Sequence, residues 1–231
     1  MHIHGLQKLT LLDYPGHTAC TVFTGSCNFR CPFCQNASLV LHPGTEPEIG
    51  EEEIIEFLSH RKGLLDGVCI TGGEPTLQWD LPAFALRLKE MGFDVKLDTN
   101  GSDPAMLSAM LDAGLTDFVA MDIKTSPERY PVLTGRPNMD VGPVRESVAM
   151  LLGGRVPYEF RTTVVKEYHR AEDFHAIGEW IRGASAYYLQ GFRDSGDLIE
   201  EGLSGCSREE MEQFQAIAAL YVPDTFLRGV D

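Results

Sequence analysis

The sequence lacks several features that would each indicate a particular class of protein. It has no apolar run near the ~20 residues that cross a bilayer, no internal repeat and no low-complexity linker. Positive charge is scarce: 19 Lys and Arg stand against 34 Asp and Glu, a net charge of −15. Nucleic-acid binding needs clustered basic side chains, so this balance argues against such a partner. The first residues, Met1-His-Ile-His-Gly5, do not resemble a secretory signal, and we expect a cytoplasmic protein.

Cysteine is also scarce, with six residues in a chain of 231. Such a low content disfavours a disulfide framework and fits a reducing compartment. Cys20 and Cys69 fall in apolar, strand-like runs and Cys206 in a Gly/Ser loop, where each is interpreted as a small hydrophobic residue.

The other three cysteines share one short segment. Cys27, Cys31 and Cys34 lie in Gly25-Ser-Cys-Asn-Phe-Arg-Cys-Pro-Phe-Cys-Gln35, a C-x3-C-x2-C spacing with no fourth cysteine nearby. A cubane iron–sulfur cluster is ordinarily held by four thiolates, so three leave one iron open to a further ligand. A structural zinc site is the alternative, but it needs paired ligands, and the next histidine, His42, stands alone.

Apolar β-rich runs alternate with amphipathic helical patterns along the chain. Strands are predicted at 19–24, 67–71, 94–99, 117–123, 159–165 and 186–190, and helices near 51–61, 81–91, 104–113, 142–152, 171–182 and 208–221. Six β-α units in series predict an α/β fold with a parallel sheet. We expect a single domain over 1–231, with an N-terminal extension or hairpin at 1–16, a core at 17–195, and a C-terminal loop and helix at 196–231.

Polar motifs follow the first four predicted strands, where parallel α/β folds place their active sites. The cysteine segment follows the first strand, and Gly72, Gly73 and Glu74 follow the second. Asp98, Thr99 and Asn100 end the third strand, and Asp122 and Lys124 end the fourth. Each also has a plain structural interpretation: a strand-to-helix turn for the glycines, a helix cap for Asp98, and an ion pair between Asp122 and Lys124.

Together these motifs resemble the radical S-adenosylmethionine (radical SAM) superfamily. The likeness rests on the C-x3-C-x2-C loop with Phe33 before its last cysteine, and on Gly72-Gly-Glu74 one strand later. The runs Leu6-Gln-Lys-Leu-Thr-Leu-Leu-Asp-Tyr-Pro-Gly16, Lys96-Leu-Asp-Thr-Asn-Gly101, Ala120-Met-Asp-Ile-Lys124 and Phe160-Arg-Thr-Thr-Val-Val165 further resemble the glycyl-radical-enzyme activases, most of all the activating protein of anaerobic ribonucleoside-triphosphate reductase. The resemblance implies a partial (β/α)6 TIM-like barrel of parallel strands.

The resemblance also implies cofactors and roles for particular residues. Cys27, Cys31 and Cys34 would hold a [4Fe-4S] cluster, whose open iron binds S-adenosylmethionine for reductive cleavage to a 5′-deoxyadenosyl radical. The remaining residues implied in cofactor binding are Phe33, Gln35, Gly72, Gly73, Glu74, Asp98, Asn100, Asp122, Lys124 and Arg161. Phe33 would pack on the adenine, Gly73 and Glu74 would bind the methionine ammonium, and Lys124 and Arg161 the carboxylate. Asp98, Thr99 and Asp122 resemble the ligands of a monovalent cation.

Two departures from the activase pattern bear on substrate contacts. Gln35 follows the third cysteine where many activases have histidine, and Leu189-Gln-Gly-Phe192 ends the last predicted strand where relatives carry a histidine. The 32 residues between Cys34 and Gly67 contain no cysteine, so an added ferredoxin-like module is not expected.

The implied partners are a glycyl radical enzyme, whose glycine the radical attacks, and flavodoxin or ferredoxin as electron donor. Arg30 is a candidate for a basic patch that binds this donor, or a residue that binds local carbonyls.

Two other functions remain open. One is a radical SAM enzyme acting on a small molecule, similar to 7-carboxy-7-deazaguanine synthase; the other is a non-catalytic iron–sulfur electron carrier, which would need a fully ligated cluster.

Overall fold

The computed structural model describes residues 1–230. The strands are β1 (Ile3–Thr10), β2 (Ala19–Thr24), β3 (Gly67–Gly72), β4 (Asp94–Thr99), β5 (Phe118–Asp122), β6 (Tyr158–Val164), β7 (Tyr187–Gly191) and β8 (Thr225–Arg228). The helices are α1 (Ala37–Leu41), α2 (Glu51–Ser59), α3 (Leu81–Glu90), α4 (Pro104–Asp112), α5 (Tyr130–Leu133), α6 (Gly142–Leu152), α7 (Ala171–Trp180) and α8 (Arg208–Ala219). The strands form one sheet in the order β1 to β8.

The chain divides into two compact units. Unit 1 contains Met1–Asn28, Ser38–Val119 and Arg155–Pro157. Unit 2 contains Phe29–Ala37, Ala120–Gly154 and the described residues from Tyr158 onward. The cysteine segment therefore contributes Cys27 to unit 1 and both Cys31 and Cys34 to unit 2.

Unit 1 is built on a hairpin followed by parallel strands. Strand β1 pairs antiparallel with β2, and β2, β3 and β4 pair in parallel. Every residue of β2 except Phe23 is buried, as are the first four residues of β3, which is typical of strands covered on both faces. Helix α4 begins where the Asp103 carboxylate accepts a hydrogen bond from the Met106 backbone N–H, with Pro104 at the first helical position.

Unit 2 contains the parallel strands β6, β7 and β8. Helix α8 begins with a capping box, in which Ser207 and Glu210 each accept a hydrogen bond from the other's backbone N–H. Helices α7 and α8 pack through Phe174 and Phe214, whose rings stack with centroids 4.5 Å apart. Strand β8 follows α8 and pairs in parallel with β7.

The predicted α/β class with parallel strands is confirmed, and all six predicted strands and six predicted helices are present. The N-terminal segment, expected to be an extension or a hairpin, contains β1, which pairs antiparallel with β2. The prediction of only a loop and a helix after residue 196 is wrong, because β8 follows α8 and pairs with β7. The cap of α4 is Asp103, so the capping role considered for Asp98 is wrong.

Within residues 1–230, no helix combines the length and the apolar character needed to span a bilayer.

Candidate functional site

The base of the cysteine segment lies directly against the Gly-Gly-Glu turn within unit 1. The Glu74 backbone N–H donates to the Ser26 carbonyl at 2.8 Å, and the Gly73 N–H donates to the Thr24 carbonyl at 2.8 Å. A Cβ atom on Gly73 would stand 1.9 Å from the Ser26 oxygen, so only glycine fits there. Gly72 has φ +118°, a conformation open to glycine and strained for other residues. Both glycines are therefore required by the contact between the two loops.

The backbone conformation of Ser26 is a second indication that the two loops are closely packed. It is the only non-glycine residue with positive φ, at 69°, in the described chain of residues 1–230. The left-handed conformation is rare for residues with a Cβ atom. Here it lets the Ser26 N–H donate to the Leu39 carbonyl at 2.9 Å while its own carbonyl accepts from Glu74. Cys27 follows this turn at once, so the backbone hydrogen bonds of Ser26 set its position.

Glu74 joins the end of β3 to the end of β4. Its buried carboxylate accepts hydrogen bonds from Thr76 N–H (3.2 Å), Thr76 Oγ1 (2.6 Å), Thr99 Oγ1 (2.7 Å) and Asn100 N–H (2.7 Å). Burial raises the pKa of Glu74, although these four donors act in the opposite direction. Sequence reasoning did not anticipate this internal role of the side chain.

Asn100 connects the end of β4 to the first cysteine. Its side-chain Nδ2 lies 3.7 Å from the Cys27 sulfur and donates to Asn28 Oδ1 at 3.1 Å. Asn28 in turn donates to the Ser102 hydroxyl at 2.8 Å, and the Ser102 N–H donates back to Asn100 Oδ1 at 2.9 Å. This ring of hydrogen bonds orients the Asn100 amide toward the sulfur, where an N–H donor stabilises a thiolate.

In unit 2, Cys31 and Cys34 share one turn, since the Cys34 N–H donates to the Cys31 carbonyl at 3.0 Å. Burial raises the pKa of the Cys34 thiol, and the positive charges of Lys124 and Arg30 partly oppose this rise. The preceding loop is held where the Arg30 N–H donates to the Thr134 carbonyl at 2.8 Å. The Arg30 guanidinium donates to the Phe29 carbonyl at 2.7 Å, which confirms that it binds a local carbonyl.

Phe33 and Gln35 attach the same segment to other parts of unit 2. The buried Phe33 ring contacts the rings of Tyr168 and His169 at centroid distances of 6.3 and 6.1 Å. The Gln35 amide donates to the Arg193 carbonyl at 2.6 Å. Gln35 therefore braces the loop that follows β7, a contact that the sequence pattern did not predict.

Asp122, Lys124 and Arg161 form a charge cluster: Asp122 ends β5, Lys124 follows it, and Arg161 lies in the middle of β6. Asp122 accepts from Lys124 Nζ at 3.0 Å and from Arg161 Nε at 2.9 Å, so the predicted Asp122–Lys124 pair is confirmed. Burial by itself raises the pKa of Asp122, but the two cations outweigh it and hold that pKa well below its usual range. Burial likewise disfavours the charged Lys124, but Asp122 outweighs this effect and raises the pKa of Lys124. The cluster carries two positive charges and one negative charge, which suits it to bind an anion.

Two residues that sequence reasoning missed hold Lys124 in place. The Lys124 backbone N–H donates to the Tyr130 hydroxyl at 3.0 Å. Buried His169 accepts from the Val165 N–H at Nδ1 (3.1 Å) and faces the Lys124 carbonyl with Nε2 (2.9 Å). Nδ1 is an acceptor, so the proton sits on Nε2 and is donated to Lys124. Burial lowers the pKa of His169, which keeps the ring neutral at pH 7.

The residues present fit the implied iron–sulfur cluster. Cys27, Cys31 and Cys34 would supply the donor set, and none of the six cysteines, all of which lie within residues 1–230, forms a disulfide. Each donor has nearby groups that favour its thiolate: the Asn100 amide for Cys27, and the Lys124 charge for Cys31 and Cys34. Across the described residues, no three His, Cys, Asp or Glu side chains gather around one point as a single metal ion would require. A cubane cluster instead takes each thiolate on a different iron.

Comparison with known proteins relates this site to one family. The sequence profile of the Radical SAM superfamily matches residues 21–180. A Methanocaldococcus jannaschii protein with the provisional name glycyl-radical enzyme activating enzyme is 29% identical over 239 residues, covering 99% of this chain and 96% of its own. The pyruvate formate-lyase-activating enzyme of Staphylococcus aureus is 30% identical over 192 residues, covering 78% and 75%.

A solved structure extends the likeness to the fold of nearly the whole chain. The crystal structure of QueE from Escherichia coli covers 99% of this chain and 93% of its own, with a TM-score of 0.59 and 16% identity. At that identity the likeness concerns the fold alone. The profile match covers the cysteine segment, the Gly-Gly-Glu turn and the charge cluster, and the sequence relatives cover most of both chains. This chain thus belongs to the radical SAM superfamily, whose members use a [4Fe-4S] cluster and S-adenosylmethionine, and within it to the glycyl-radical-enzyme activating enzymes.

Proposed function

We propose that this enzyme reductively cleaves S-adenosylmethionine and uses the resulting 5′-deoxyadenosyl radical to install a glycyl radical on anaerobic ribonucleoside-triphosphate reductase. The observation that carries the chemistry is the direct backbone contact between the cysteine segment and the Gly-Gly-Glu turn at Ser26, Gly73 and Glu74. The choice of partner is supported by the runs at 6–16, 96–101, 120–124 and 160–165, which resemble the activases of that reductase.

Cys27, Cys31 and Cys34 would hold the [4Fe-4S] cluster. When bound, the cluster and its cosubstrate supply one-electron cleavage of the sulfonium bond, which yields methionine and the deoxyadenosyl radical. The chemistry supplied in this way would be hydrogen-atom abstraction from a glycine Cα of the partner, with 5′-deoxyadenosine as the other product, and it would need no side-chain general base. The electron would come from flavodoxin or ferredoxin.

The chain's own residues would bind and orient the cosubstrate. The Lys124 and Arg161 cluster carries a surplus positive charge for the methionine carboxylate, and Tyr130 and His169 hold Lys124 in position. We assign the adenine to the Phe33 ring and its loop, and the methionine ammonium to the backbone around Gly73 together with Glu74. The four hydrogen bonds of Glu74 within unit 1 give that side chain a positioning role as well.

A second candidate partner is pyruvate formate-lyase. The specific observation in its favour is the 30% identity to an activating enzyme of that lyase from Staphylococcus aureus. The two partners call for the same chemistry at the cluster, so only the recognised glycyl loop distinguishes them.

The test is an anaerobic assay of reconstituted, dithionite-reduced protein with S-adenosylmethionine and each candidate partner in turn. We expect 5′-deoxyadenosine by chromatography and a glycyl radical signal by electron paramagnetic resonance with the reductase. Both should be lost in Cys31→Ala and retained in Cys206→Ala, a matched control because Cys206 lies outside the motif. A glycyl radical on pyruvate formate-lyase alone would refute the assigned partner, and a cluster that never cleaves S-adenosylmethionine would refute the activity.

A further inference from the structure

Lys96 is a lysine in an unusual place, the interior of unit 1. Its side chain, in the middle of β4, is 1% exposed. The residue lies opposite Cys69 of β3, which in turn lies opposite Thr21 of β2, so these three share one face of the sheet. A buried ammonium is costly unless a negative group compensates its charge. A specific partner must therefore account for Lys96.

That partner is Asp98, two residues further along the same strand and therefore on the same face. The Lys96 ammonium donates to Asp98 Oδ1. The Cys69 sulfur lies 3.8 Å from Nζ, and the Phe118 ring centroid lies 6.0 Å from it, at the limit of a cation–π contact. The ammonium is thus held on the Asp98 carboxylate, with the Phe118 ring and the Cys69 sulfur nearby.

Asp98 is one of the two carboxylates that resemble ligands of a monovalent cation in the sequence; the other is Asp122. An ammonium group carries the same single positive charge as Na⁺ or K⁺ and uses the same kind of oxygen partner. The other carboxylate, Asp122 in unit 2, is compensated separately, by Lys124 at 3.0 Å and Arg161 at 2.9 Å. Each carboxylate considered for the ion therefore already has a cationic side chain of this protein on it.

We propose that the Lys96 ammonium takes the place of a monovalent cation beside Asp98, so that this enzyme needs no bound Na⁺ or K⁺ to hold S-adenosylmethionine. Lys96 is then a positioning residue, because it acts through Asp98. The inference rests on the proposed function for its activity readout, and a second readout on the protein without cofactors keeps it independently testable.

The experiment places wild type, Lys96→Met and Lys62→Met in a buffer whose only added cation is choline and titrates each with KCl. Methionine keeps an unbranched side chain of similar length without the charge, and Lys62 is an exposed lysine that serves as control. The melting temperature of the cofactor-free protein and the 5′-deoxyadenosine yield of the reconstituted protein are measured. An equal titration with choline chloride corrects for general salt effects.

We expect both readouts to be independent of K⁺ in wild type and Lys62→Met. In Lys96→Met, K⁺ should restore part of the yield and raise the melting temperature by about 3–6 °C at tenfold excess over its dissociation constant. The double variant Lys96→Met/Asp98→Asn removes both charges and should not respond to K⁺. If Lys96→Met fails to fold, the wild type still tests the proposal, because the proposal requires that K⁺ change neither its yield nor its melting temperature.

A wild-type protein whose yield and melting temperature both rise specifically with K⁺ would overturn the proposal. So would a folded Lys96→Met variant that ignores K⁺ in both readouts. A wild type that never forms 5′-deoxyadenosine contradicts the proposed function instead, and the melting temperatures then decide the role of Lys96 alone.

Discussion

Replacing Gly73 by alanine should disrupt the base of the cysteine segment. The new Cβ would lie 1.9 Å from the Ser26 carbonyl oxygen and 2.6 Å from its carbonyl carbon, both backbone atoms. Ordinary nonbonded contacts need about 3.5 Å, so the two loops must separate by roughly 1 Å or more. That separation breaks the hydrogen bond from Glu74 N–H to Ser26 and strains the turn before Cys27.

The expected cost follows from these two effects. Loss of one backbone hydrogen bond costs about 1 kcal/mol, and forced expansion of a packed contact costs about 1–3 kcal/mol. Urea unfolding of the cofactor-free Gly73→Ala variant should therefore give a free energy of unfolding lower by about 2–4 kcal/mol. The same displacement moves Cys27, so the iron retained after reconstitution should also fall.

Gly44→Ala is the matched control. No atom lies within 4 Å of a Cβ at that position, and its φ is not positive. Its free energy of unfolding should stay within about 0.5 kcal/mol of wild type or rise slightly. If Gly73→Ala is as stable as Gly44→Ala and binds iron normally, the contact between the two loops does not have the importance assigned to it.

Three further changes have expected outcomes. Asn100→Ala removes the amide donor near the Cys27 sulfur, so the cluster potential measured by redox titration should fall by tens of mV, on the order expected for a hydrogen bond to a charged group; an unchanged potential would refute that role. Arg161→Gln removes one of two cations from Asp122, whose depressed pKa contributes stability above the ordinary Asp pKa of about 3.9 and loses it as pH falls below that value. Urea unfolding between pH 5 and 3 should thus show a weaker acid dependence in Arg161→Gln than in wild type, and an equal slope would contradict the pairing. Ser26→Gly relieves a left-handed residue at φ 69° and should leave the unfolding free energy unchanged or raise it by up to about 1 kcal/mol; a large loss would mean that the serine side chain is needed.

Much of the fold was predictable because its signals are local. The apolar run at Ala19–Thr24 and the alternation of strands with helices are visible within windows of a dozen residues, and each appears as predicted. Strand β8 was missed because Thr225–Arg228 is only four residues long, and its pairing with β7 depends on where α8 delivers the chain. A strand that short carries no periodic signal of its own.

The candidate site shows the same division. The sequence by itself determined the cysteine spacing, the Gly-Gly-Glu turn and the polar ends of β4 and β5. The chemistry of these side chains and their order along the chain do not depend on how the chain packs. Only the tertiary structure decided that Glu74 accepts four hydrogen bonds, that Asn100 faces Cys27, and that His169 donates to the Lys124 carbonyl. It also placed the Lys96 ammonium on Asp98. These contacts join separate strands and loops, and burial determines how strongly each charge interacts, so a one-dimensional pattern cannot contain them.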